Sequence, residues 1–209
     1  MAITTYGSAA PAPTGRALGP PRLPHELPKN TVLVGTLLVL VADAMVLAGL
    51  VAMWVAIKSG APAWPPHGVS VGTYLPTTVT ITAAMTAFSV QWVVSSVRRN
   101  DQRSATIAVI LSVVLGIAIV NAQWYTLVRT GFGFNDHAYG TLFDLFIGYH
   151  LVNTAIAILA LVAVGARTLA GHFSREGYDQ VKAVAAIWQF ANIAWAVIIT
   201  FVFFFSAHG

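Results

Sequence analysis

Five apolar stretches, at residues 31–57, 75–97, 105–128, 139–164 and 181–205, divide this chain, and short polar segments separate them. Each is close to or above the ~20 apolar residues a helix needs to cross a bilayer core. None shows the strict polar–apolar alternation of a barrel strand. Lipid offers no hydrogen-bonding partner, so the backbone of each stretch must satisfy itself, and only a helix does so within one segment. The pattern therefore predicts an all-α membrane protein with five transmembrane helices occupying residues 31–209. Residues 1–30 are different. Pro11, Pro13, Pro20, Pro21, Pro24 and Pro28 punctuate them, a density that no helix tolerates, and they are expected to form a Pro-rich tail.

Composition narrows the class further. The chain is 57% apolar and only 9% charged, against about 25% charged in soluble domains, and five spans leave no room for a soluble domain of ordinary size. Cysteine is absent, which removes disulfides, thiolate metal sites, iron–sulfur ligation and thiol nucleophiles together. The formal charge of +4 would suit nucleic acid, but its distribution points elsewhere. Nine of the eleven Lys and Arg residues fall in the tail, after the second stretch (Arg98, Arg99, Arg103) or around the connection from the fourth to the fifth (Arg167, Arg175, Lys182). Only Lys58 and Arg129 lie in the alternate loops. That bias predicts a cytoplasmic N-terminus, an external C-terminus and no nucleic-acid partner.

The candidate chemistry is confined to a few polar side chains within the spans. Asp43 lies near the middle of the first, where a carboxyl group is expensive. It is either proton-active or a structural group bonded to a neighbouring helix. His150 is the only histidine deep inside a span; His25, His67, His137, His172 and His208 fall in tails or loops. One such histidine does not supply a bis-histidine haem or a copper centre, so no cofactor is expected on this chain. His150 is then a packed core residue, or a partner of Asp43 or of another subunit. Gln189, Asn192 and Trp195 recur at intervals of three, which gathers them on one protein-facing side of the fifth helix. Asn121, Asn153, Gln189 and Asn192 form an expected interhelical polar network.

Smaller expectations accompany these. Thr77, Thr78, Thr80, Thr82 and Thr86 are expected to bond back to the preceding turn. Ala48 and Ala52, four apart, suit close helix packing. Asp144 is expected at the interface or as a loop cap. Trp64 and Tyr74 are expected as interfacial anchors, with Pro65 and Pro66 stiffening the loop between them. Phosphate-cradling glycine loops, dinucleotide fingerprints, His-Glu-x-x-His and nucleophile elbows are all missing.

The order of short motifs resembles subunit III of the haem–copper respiratory oxidases. They are the acid and Ala-Gly-Leu of residues 43–50, the loop Trp64-Pro65-Pro66-His67-Gly68, and the turn Asn100-Asp101-Gln102-Arg103. Beyond these come Tyr139-Gly140-Thr141-Leu142-Phe143, Gly148-Tyr149-His150, and the run from Ile187 through Trp188, Gln189 and Asn192 to Trp195. Five helices match a shorter bacterial form. Departures are equally plain: Asp43 stands for a glutamate, Asn153 and Gln189 for histidines, Asn192 for an aspartate, and Trp124 for a glutamate of the third helix.

The resemblance implies a non-catalytic subunit in a bacterial inner (cytoplasmic) membrane. Such a subunit packs on the oxidase catalytic subunit I and other respiratory-complex subunits, holds phospholipid in a cleft, and supports proton uptake. Haem and copper belong to the partner subunits. On that reading Asp43 and His150 face a lipid-filled or subunit-facing cleft. The alternatives are a subunit of a nitric-oxide-reductase-type complex, a small proton or ion transporter using Asp43, and an assembly factor.

Overall fold

A computed structural model describes residues 31–169 and 175–204. The predicted tail, residues 1–30, lies outside them. Five helices follow in order: α1 Thr31–Gly60, α2 Tyr74–Arg98, α3 Gln102–Arg129, α4 Ala138–Leu169 and α5 Arg175–Ile199. A wide π-type turn, Thr200–Phe204, continues α5. All five are long and apolar enough to cross a membrane. Most extend a few residues beyond the apolar stretches, because a polar residue past the hydrocarbon still completes the last turn's hydrogen bonds.

Helices α2, α3, α4 and α5 close a ring in which each packs on its two neighbours, and α1 lies outside it against α5 and, less extensively, α4. The α2–α3 connection shows why the ring is tight at that corner. Asn100 adopts φ +58°, a left-handed conformation that asparagine tolerates, and its N–H returns to the carbonyl of Val97. Asp101 at once caps α3, its carboxylate accepting from the Ser104 amide at 3.0 Å and the Ser104 hydroxyl at 2.6 Å. Those bonds hold the Asp101 carboxyl below the usual carboxylate range.

Close approach elsewhere relies on missing side chains. A Cβ on Gly116 of α3 would stand 2.8 Å from Ile158 and 2.9 Å from Trp188, and one on Gly165 of α4 would stand 2.7 Å from Val109. Two facing glycine notches thus set the α3–α4 spacing. The expected use of Ala48 and Ala52 is not realised within the chain: both are exposed, because α1 turns Leu47 and Trp54 to the bundle instead.

At the end opposite Arg98, Arg99 and Arg103, an aromatic cluster joins α1 to the ring. Trp54 packs edge-on to Trp64 at 4.9 Å and against Tyr139 and Phe146 at 5.4 and 5.6 Å. Trp64 also meets Tyr139 at 5.2 Å. The loop residue expected as an interfacial anchor is therefore a buried lid. Its indole gains more by covering Trp54 and Tyr139 than by lying at the headgroups. Pro65 and Pro66 beside it are half-buried, and Tyr74 is exposed.

Candidate functional site

Polar residues inside the spans fall into three groups, each positioned by a different helix contact. The first is central. His150 of α4 is almost fully buried, and both ring nitrogens are engaged: Nδ1 with the Gln123 amide nitrogen of α3, and Nε2 with the Ala191 carbonyl of α5 at 3.1 Å. A carbonyl only accepts, so Nε2 carries the proton. Nδ1 is then free to accept from the Gln123 N–H, and the ring is the neutral Nε2–H tautomer. Trp195 covers it at 4.9 Å. His150 thus ties α3, α4 and α5 together, with no lone pair left for a metal.

The second group lies between α2 and α5. The Gln189 amide donates to the Ala87 carbonyl at 3.1 Å, the Thr86 hydroxyl donates to Asn192 Oδ1 at 3.3 Å, and the Trp195 indole donates to Thr80 at 2.9 Å. All three α5 residues act on one neighbour because their spacing puts them on one side of the helix. The threonines of α2 also bond to their own preceding turns, at 2.7–3.0 Å. Further along, Ser89 of α2 meets Ser112 of α3 at 2.8 Å.

The third group is peripheral. Asp43, the thirteenth of the thirty residues in α1, is half-buried. Tyr149 of α4 donates its hydroxyl to the Asp43 backbone carbonyl at 3.2 Å, and the Asp43 side chain acts on the same hydroxyl. Asn153 donates to the Tyr149 carbonyl at 3.3 Å, so it braces its own helix. This seam marks a change along α1. Leu47, Leu50, Val51, Trp54 and Ile57, all beyond Asp43, join the main apolar cluster. Residues 31–42 join none of the three clusters. Helix α1 is therefore fastened to the ring through one half only.

Several placements differ from the sequence-based expectations. Asp43 and His150 neither pair nor share a cleft: Tyr149, next to His150 on α4, points to α1, and the imidazole points the other way into the ring. Asn121 is exposed and has no place in an interhelical network, and Trp124 is 63% exposed. The inward position on α3 belongs to Gln123, a buried residue that the sequence shows only as one of several polar neighbours. Asp144 does not cap the loop. Asp136 and His137 do, accepting from the Gly133 and Gly140 amides at 2.6 and 2.8 Å. Among the described residues, no three His, Cys, Asp or Glu side chains come together as a metal site would require.

Comparison with known proteins agrees with this arrangement. The family model for cytochrome c oxidase subunit III matches residues 26–207. A cytochrome c oxidase subunit 3 of Thermostichus vulcanus is 23% identical over 86% of this chain and 89% of its own length. The probable cytochrome c oxidase subunit 3 of Mycobacterium leprae is 28% identical over 96% of this chain and 98% of its own. That of Synechocystis is 25% identical over 81% and 73%. The chain belongs to the cytochrome c oxidase subunit III family.

Proposed function

We propose that this chain, as a member of that family, serves as the non-catalytic subunit III of a haem–copper terminal oxidase, stabilising the catalytic subunit and supporting its proton uptake. The observation that carries the reading is the state of His150. Its two nitrogens are taken by Gln123 and Ala191, so the one histidine deep in the ring is a structural tie rather than an axial ligand. In the complex, the haem and copper reside in partner subunits. The end that carries Arg98, Arg99 and Arg103 faces the cytoplasm of a bacterial inner membrane. A phospholipid lies along the half of α1 that joins no apolar cluster, its chains covering residues 31–42 and its inner limit set by the Asp43–Tyr149 seam.

Deleting the gene and assaying the remaining oxidase tests this. The haem spectrum should persist, while sustained oxygen consumption declines and phospholipid retention falls. An oxidase that turns over unchanged without the chain would refute the supporting role. A transporter reading gains nothing from the geometry, since Asp43 sits on a flank of the ring and not along its axis.

A further inference from the structure

The outward face of α3 repeats with a period of seven. Ile107, Val114, Asn121 and Val128 stand seven apart, and Ile110, Ile117 and Trp124 each follow three residues after one of them. Alternating steps of three and four across residues 107–128 make the a and d seam of a coiled coil. The helix turns Ser112, Gly116, Ile119 and Gln123 into the chain, and the six apolar members of the seam are 48–65% exposed. The seam is therefore left uncovered.

The residue types on the seam are selective. Three of its four a positions are β-branched, and the fourth is asparagine. A β-branched side chain already holds essentially one rotamer in a helix, so packing it costs little entropy. A single asparagine in an a row fixes register and partner number, because its amide is satisfied only opposite another polar group.

Depth adds weight to this. Asn121 is the twentieth of the twenty-eight residues of α3, ~12 Å from the last at 1.5 Å per residue. Its short side chain leans toward the start of α3, away from the nearer membrane surface. It is exposed, and its amide has no partner among the described residues. A stripe that meets only acyl chains gains nothing from an amide at its centre, since hydrocarbon supplies neither donor nor acceptor. An amide carries both, so a second identical amide is its complement. Two copies in one membrane share one topology, so their α3 helices run parallel. A two-fold axis along the membrane normal then sets each a residue against its own counterpart.

We infer that α3 is a self-association face: a second copy of this chain packs seam to seam against it. The Asn121 N–H of one copy donates to Asn121 Oδ1 of the other. The slow drift of a seven-residue repeat around α3 is taken up by a left-handed crossing of about 20°. This goes beyond the role proposed above: where the chain is one subunit of a complex, the contact joins two complexes. It lies on a different helix from the α1 flank, where lipid is placed.

Disulfide trapping in native membranes tests it. The chain has no cysteine, so one introduced thiol reports one position, and facing a residues come within the ~6 Å that a disulfide spans. On mild oxidation, Val114→Cys should give a covalent pair of this chain, identified by mass. Phe88→Cys, 79% exposed on α2, should give about tenfold less. Adding Asn121→Leu should lower the Val114→Cys yield about five- to tenfold, while Gln91→Leu, which removes an exposed amide from α2, should leave it within about twofold. Failure of Val114→Cys to pair, linkage to a different protein, or equal yields at positions 114 and 88 would each overturn the inference. So would an unchanged yield with Asn121→Leu, or an equal loss with Gln91→Leu. The substituted residues are exposed, so no core contact is removed. Both arms follow the chain itself, and their outcome is separate from whether it serves an oxidase.

Discussion

The interior of the α2–α5 ring and the flank along α1 handle polar groups in opposite ways. In the ring, a neutral histidine is bonded at both nitrogens and covered by Trp195, and α2 and α5 are joined by three side-chain bonds. Along α1, the backbone carbonyl of the one acid near mid-span meets a single tyrosine, and residues 31–42 before it are unclustered. The difference teaches what each is for. The ring is held together by contacts it owns, and α1 is held by those of its second half alone.

Substitutions that break this contrast should rank accordingly. The largest effect is expected from His150→Leu, which strands the Gln123 amide in the core and removes the second bond to the Ala191 carbonyl. At about 1–3 kcal/mol for the buried amide left unpaired and about 1 kcal/mol for the second lost bond, the loss should be about 2–4 kcal/mol, seen as a lowered melting temperature of the purified complex. Next is Gly116→Ala, whose methyl would collide with Ile158 and Trp188. Overpacking of this kind costs about 1–3 kcal/mol, and a double variant with Ile158→Val should recover part of it. Tyr149→Phe removes one bond on the flank and should cost only about 0.5–1 kcal/mol. Its clearer signature should be easier separation of α1 from α4, measured as the distance between spin labels on the two helices.

The smallest effect belongs to Asp101, at the exposed α2–α3 turn. Its carboxyl is held below the ordinary value of 3.8 by the Ser104 bonds. The stabilisation it gives is therefore fully present above pH 3.8 and is lost as pH falls through the lower folded-state value. Asp101→Asn should abolish that acid-limb dependence, followed by the helicity of the turn, and leave stability at neutral pH little changed because asparagine also caps well.

Much of this was legible in the sequence, and the reasons it was or was not are physical. Unbroken apolar length identified all five helices, since lipid admits no alternative. The three-residue spacing of Gln189, Asn192 and Trp195 gave a shared face, because a helix converts spacing directly into direction. What spacing does not give is which way a helix is turned when it is apolar on every side. So Gln123 and Trp124, adjacent in sequence, could not be ranked; only the Gly116 notch, which fixes the rotation of α3, turns Gln123 inward and Trp124 out. Trp64 escaped for a related reason. An indole in a loop satisfies the interfacial pattern and the aromatic lid equally well until Trp54 and Tyr139 are seen beneath it. The separation of Asp43 from His150 likewise depends on the fine rotation of α4, on which Tyr149 and His150 point to different neighbours.

The most direct test of the central claim, a ring closed around its own histidine in a chain that serves a redox partner, is to follow the haem. The complex is purified through a tag on this chain in mild detergent, and reduced-minus-oxidised spectra are taken before and after the chain is stripped away. The account predicts a haem spectrum that stays wholly with the remaining subunits and a released chain with none. Stoichiometric haem travelling with the released chain, and lost from it in His150→Leu, would contradict it.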